Sequence, residues 1–122
     1  MPIYSSTQAD IFAAHGSRFA SFVRTERGGS SLCAWRLEVE PNQPGVAHRP
    51  SHEEVILLLN GRLRVTLDAI SRDVDAGDVV HVPAGSELRV DGGPEGATAW
   101  VTTTPGLTAA VGPETMTPPW AQ

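Results

Sequence analysis

The chain is predicted to fold as an all-β sandwich or barrel. Short runs that alternate apolar and polar residues recur at regular spacing along it. Glycine and proline, 12 and 10 of 122 residues, punctuate those runs. No stretch holds a helical period for long. Together these features are the pattern of a small antiparallel β domain.

The elements follow in order. Ser6-Thr7-Gln8-Ala9-Asp10 before Ile11 to Ala14 is predicted to start one short helical turn that Gly16 ends. Arg18 to Thr25 alternates loosely, and Glu26 to Ser30 is a Gly/Ser loop. Ser31 to Glu40 is the clearest strand. Cys33, Trp35, Leu37 and Val39 share one face of it, and Ala34, Arg36, Glu38 and Glu40 the other. Pro41 to Gly45 is a loop.

Pro44 to Gly61 carries the chemistry. It packs His48, His52, Glu53 and Glu54 close together, runs through Val55 to Leu59, and reaches Asn60-Gly61, a strong hairpin signal. His48, Pro50, His52 and Glu54 share parity, so an unbroken strand projects all four to one face. Two imidazoles and a carboxylate there can bind a metal, move a proton, or form a polar rim without chemistry. Leu63, Val65 and Leu67 then alternate with polar residues in another half-buried strand. Ile70 to Val74 is a short polar strand or loop, and Val79 to Val82 a strand that is apolar except for His81. Glu87–Asp91 and Ala97–Thr103 are predicted as two strands across the loop Gly92 to Gly96. The tail from Pro105 holds four prolines and ends in Pro118-Pro119-Trp120, so it is expected to cover the body without regular structure.

One domain accommodates all of this. Residues 1–30 form an amino-terminal segment packing on the barrel, 31–104 the barrel core, and 105–122 the proline-rich tail. The formal net charge is −5 with no basic cluster, which repels nucleic acid and anionic membrane. A single cysteine, Cys33, excludes an internal disulfide and fits a reducing compartment. The amino terminus lacks a signal-like pattern and no apolar run reaches spanning length, so a cytoplasmic protein is expected.

With strands and turns placed, residues 31 to 103 resemble the cupin family of small jelly-roll barrels. The family's first motif has two histidines separated by one residue, then a glutamate, then a glycine. Glu54 and Gly61 hold its final spacing and His48 its first histidine, while the second falls on Pro50. The second motif matches from Gly77 through Pro83 to Gly85, but Leu88 stands at its histidine and Gly92 at its asparagine.

The resemblance implies a single-domain cupin jelly-roll β-barrel with an altered metal site, pairing as a homodimer. It also implies a small organic molecule bound in the barrel. The expected work is proton transfer on that molecule: isomerisation, dehydration or cyclisation, with polyketide cyclisation suggested by analogy. Glu54 is the candidate acid or base, with His48 and His52 polarising or relaying protons. No cofactor is expected. The alternative is a metal-dependent oxygenase or lyase holding zinc, iron, manganese or nickel on His48, His52, Glu54 and His81. A non-catalytic ligand-binding module is the third reading.

Overall fold

The computed structural model describes residues 2–122, and these described residues form ten strands and two single 3₁₀ turns. In order they are β1 (Asp10–Ala14), β2 (Ser17–Val23), β3 (Cys33–Val39), β4 (Arg49–Pro50), β5 (Glu54–Leu67), β6 (Ile70–Asp75), β7 (Val79–Val82), β8 (Leu88–Thr103), β9 (Ala109–Val111) and β10 (Glu114–Met116). The larger sheet runs β1-β2-β3-β8-β5-β6, with β7 also paired to β5. A three-stranded sheet, β10-β9-β4, forms the second layer. The result is a jelly roll of two sheets around a shared interior rather than one continuously hydrogen-bonded barrel. Among the described residues no helix is long and apolar enough to cross a membrane.

β3 follows the expected alternation. Cys33, Trp35, Leu37 and Val39 are buried, while Arg36 and Glu38 are half-buried on the other face. Its neighbour β8 supplies Ala99 and Val101 to the same interior through the register Leu37↔Ala99 and Trp35↔Val101. Cys33 is a free, buried thiol, and burial pushes its pKa up.

The long pair β5 and β8 departs from expectation. Asn60-Gly61 does not end a hairpin, and Gly92 to Gly96 is not a loop between two strands. Both lie inside continuous strands, and the register between them shifts at Leu58/Asn60 and again at Gly61/Leu63. The first shift puts one extra residue in β5, a β-bulge, and this swaps the inward parity. Before it, Glu54, Ile56 and Leu58 are buried; after it, Leu63 and Val65 are. The bulge lets one strand serve two regions of the interior. Its first part pairs with β7 and its second with β6.

Two further expectations are corrected. Residues 6–14 hold no helical turn: Ser6-Thr7 is a turn, and Asp10–Ala14 is a strand paired with Ser17–Val23. The connection is His15-Gly16, with φ of 51° and 73°. Ile11 to Ala14 is too short to separate the two periods. Nor is the proline-rich tail irregular. Ala109–Val111 and Glu114–Met116 form a hairpin whose first strand pairs with β4, and Pro119–Ala121 is a 3₁₀ turn. Trp120 anchors that end, stacking on Phe19 at 3.7 Å between ring centroids and 13° between planes.

A candidate acid–base site in the jelly-roll cavity

Glu54 opens β5, and the parity that buries Ile56 and Leu58 buries it too. The chain reaches it through Ser51 to Glu53, where the first strand of the motif breaks. There Ser51 N–H donates to Thr108 O (2.8 Å), Thr108 N–H donates to Ser51 Oγ (2.8 Å), and Thr103 Oγ1 donates to Glu53 O (2.7 Å). Residues 103–108 thus take the hydrogen bonds of the crossing between sheets, and the shared parity of residues 48 to 54 is lost at that point.

The break separates the candidates. His48 and Glu54 line one cavity of ≈ 140 Å³, with Pro50 between them in sequence. Its wall is otherwise largely apolar, including Trp35, Ile56, Leu88, Val101 and Trp120. His52 is not in that wall. Its Nδ1 lies 3.2 Å from the carbonyl oxygen of Thr104 and 2.9 Å from Thr104 Oγ1. His81 is not there either. Exposed on β7, it points away from the interior and pairs through Nε2 with the equally exposed Glu53. His15, given no role by the sequence, sits at the cavity edge in the β1–β2 turn. Its only sequence signal is a His-Gly pair, and nothing local says which loop meets which cavity.

Glu54 is 6% exposed, and burial raises its carboxyl pKa from 4.5 to about 7. Desolvation is the sole cause, because no cation or donor offsets the charged form. The arginines that could have paired with it are engaged elsewhere: Arg36 with Glu38 (3.9 Å), Arg49 with Glu87 (3.4 Å) and Arg64 with Asp73 (3.1 Å). His48 is held differently. Its Nδ1–H donates to Val46 O at 2.9 Å, so in the neutral ring the lone pair is on Nε2. Trp35 contributes a buried indole N–H with no acceptor among the described residues.

His48 and Leu88 exchange two backbone hydrogen bonds, His48 N–H to Leu88 O at 2.9 Å and Leu88 N–H to His48 O at 2.8 Å. Directly opposed residues project to the same face. The two motifs therefore meet in space as their sequence alignment requires, and leucine stands where the resemblance places a histidine.

Residues 35–102 match the cupin domain family. That span is more than half of the chain, and the chain belongs to this family. A search of the curated proteins finds no match. Among solved structures the chain is similar to an RmlC-like cupin from Shewanella frigidimarina NCIMB 400, with 20% identity and a TM-score of 0.72, covering 83% of this chain and 87% of that one. It is similar to the polyketide cyclase RemF from Streptomyces resistomycificus, with 17% identity and a TM-score of 0.76, covering 96% of this chain and 84% of that one. It is also similar to oxalate decarboxylase from Bacillus subtilis, with 17% identity and a TM-score of 0.74. That match covers 93% of this chain but only 31% of the decarboxylase. At these identities the likeness is one of fold.

The divalent metal that the family resemblance implies does not fit the residues present. His48 and Glu54 are two donors, whereas a catalytic site normally takes about three from the protein. Pro50 and Leu88 offer none. His52 and His81 lie outside the cavity, so the set of His48, His52, Glu54 and His81 is not assembled. Among the described residues no group of three or more His, Cys, Asp or Glu is placed to hold an ion.

Proposed function

We propose that this cupin binds a small organic molecule in its cavity and catalyses proton transfer on it, with Glu54 as the general acid–base. The observation that carries this reading is a buried carboxyl with no ion-pair partner, titrating at about 7, on the wall of a cavity it shares with an imidazole. A structural carboxylate in such a place is ordinarily paired or bonded. An acid–base catalyst is instead best tuned near working pH.

The reaction best suited is isomerisation through an enolate. Glu54 takes a proton from the carbon next to a carbonyl and returns it at another carbon of the enolate, so atoms balance without a co-reactant. His48 accepts at Nε2 a hydrogen bond from a hydroxyl of the substrate and so orients it toward Glu54. Dehydration and cyclisation use the same two groups on a different substrate, and the fold likeness to a polyketide cyclase supports keeping cyclisation in view. The chain contains no lysine, so no lysine Schiff base leads to the same carbanion.

The test is a screen of enolisable ketones for solvent deuterium incorporation, followed by Glu54→Gln. Glutamine keeps the shape and loses the titrating group. Turnover is expected to fall by roughly 10²–10⁴-fold with binding retained. Equal exchange rates in parent and variant would remove the acid–base role and leave a binding module.

A further inference from the structure

The charges around the cavity also restrict what can enter it, an argument that rests on the acid–base reading of this cavity and narrows it to a class of ligand. Every formal cation of this chain other than histidine is an arginine, nine in all. Among the described residues no arginine lines the cavity. Eight of the nine are engaged with carboxylates elsewhere, and Arg72 lies exposed on β6. The titratable groups on the wall are Glu54, His48 and, at the edge, His15. His52 and His81 are turned elsewhere. An anion in this cavity would lose its hydration, meet no fixed positive charge and face the Glu54 carboxyl. Burying an unpaired charge is among the costliest events in a protein interior.

Size sets the second limit. The cavity opens to solvent and holds ≈ 140 Å³, and a dry apolar cavity of about 150 Å³ takes up benzene. We infer that the ligand is a neutral molecule whose buried part is about one ring, carrying a carbonyl or hydroxyl toward Glu54, and that carboxylates and phosphate esters are excluded. The apolar wall receives the ring. Glu54 and His48, which share that wall with the polar side chains of His15, Ser17 and Gln43, meet the polar group.

Benzamide and benzoate test this directly, because they share size and shape and differ in charge. Each is titrated into ¹⁵N-labelled protein at a pH of about 8, above the ordinary histidine range. The readouts are the His48 amide and the Trp35 indole resonance, the latter assigned by its loss in Trp35→Phe. If that variant does not fold, Trp100→Phe and Trp120→Phe assign it by elimination. Benzamide is expected to saturate these signals at least about tenfold more tightly than benzoate. Glu54→Gln is expected to narrow the gap by improving benzoate. Equal affinities in the parent would overturn the inference, and so would the absence of a saturable benzamide shift at about 10 mM. The parent comparison needs no variant. Its failure is also separable from failure of the acid–base reading. If benzoate binds as well as benzamide while Glu54→Gln abolishes exchange, charge exclusion is wrong and catalysis stands. If the gap is present and exchange survives in Glu54→Gln, the cavity is a binding pocket for neutral molecules.

Discussion

At the scale of single residues, Glu54 makes the protein's stability depend on pH in a direction opposite to that of most carboxylates. Its folded pKa, about 7, lies above the ordinary 4.5, so between those values the folded chain holds a proton that the unfolded chain has released. Stability from this group is greatest below about pH 4.5, falls as pH rises through the window, and levels off above 7. At about 1.4 kcal/mol per unit the whole effect is of order 3 kcal/mol. Urea unfolding of the parent and Glu54→Gln at several pH values checks it: the parent loses stability relative to the variant from pH 5 to 8. Parallel curves would show that the carboxyl is hydrated after all. Glu54 was legible in sequence because a motif spacing fixed its register with Gly61. His52 was not, because parity over residues 48 to 54 assumes an unbroken strand. The hydrogen bonds that break it come from residues 103 to 108, about fifty positions away.

At the scale of elements, alternation was readable wherever a strand had one buried face, as in Cys33–Val39. It misled where strands bend. Asn60-Gly61 has the composition of a tight turn, yet tertiary pairing with Gly92–Thr98 carries the chain straight on. Gly61 shows what that pairing needs: its φ is 79°, and a Cβ there would lie 2.1 Å from the carbonyl oxygen of Gly96. Gly77 supplies the comparison, with φ of 93° and nothing within 4 Å of its would-be Cβ. Gly77→Ala meets only the left-handed backbone penalty, about 1 kcal/mol. Gly61→Ala meets that penalty and a backbone collision, so it is expected to cost about 3 kcal/mol or more. Denaturant midpoints measure both. Equal losses would mean that the two strands separate easily at the bulge.

At the scale of the whole molecule, the tail and the site are one structure. Proline content concealed this, because three-residue strands such as Ala109–Val111 are too short to show a period. Leu107, Ala109, Met116, Pro118 and Trp120 all line the cavity that holds Glu54. The tail end is fastened by the Phe19–Trp120 stack, by Ser21 Oγ–H donating to Trp120 O at 3.2 Å, and by Gln122 Nε2–H donating to Leu107 O at 2.7 Å. Since desolvation alone raises the Glu54 pKa, whatever keeps the cavity dry sets that value. Trp120→Ala removes a large apolar wall and is expected to cost about 3–5 kcal/mol. In the fraction that stays folded, water reaches the carboxyl and its midpoint moves down from about 7 toward 4.5. Trp120→Phe retains most of the wall and should keep the midpoint near the parent value. Carboxyl ¹³C NMR titration of the three proteins reads the midpoint directly, with far-UV circular dichroism confirming the fold at each pH. A folded Trp120→Ala whose Glu54 still titrates at the parent midpoint would show that Trp120 does not keep the carboxyl dry, and would assign that task to the rest of the cavity wall.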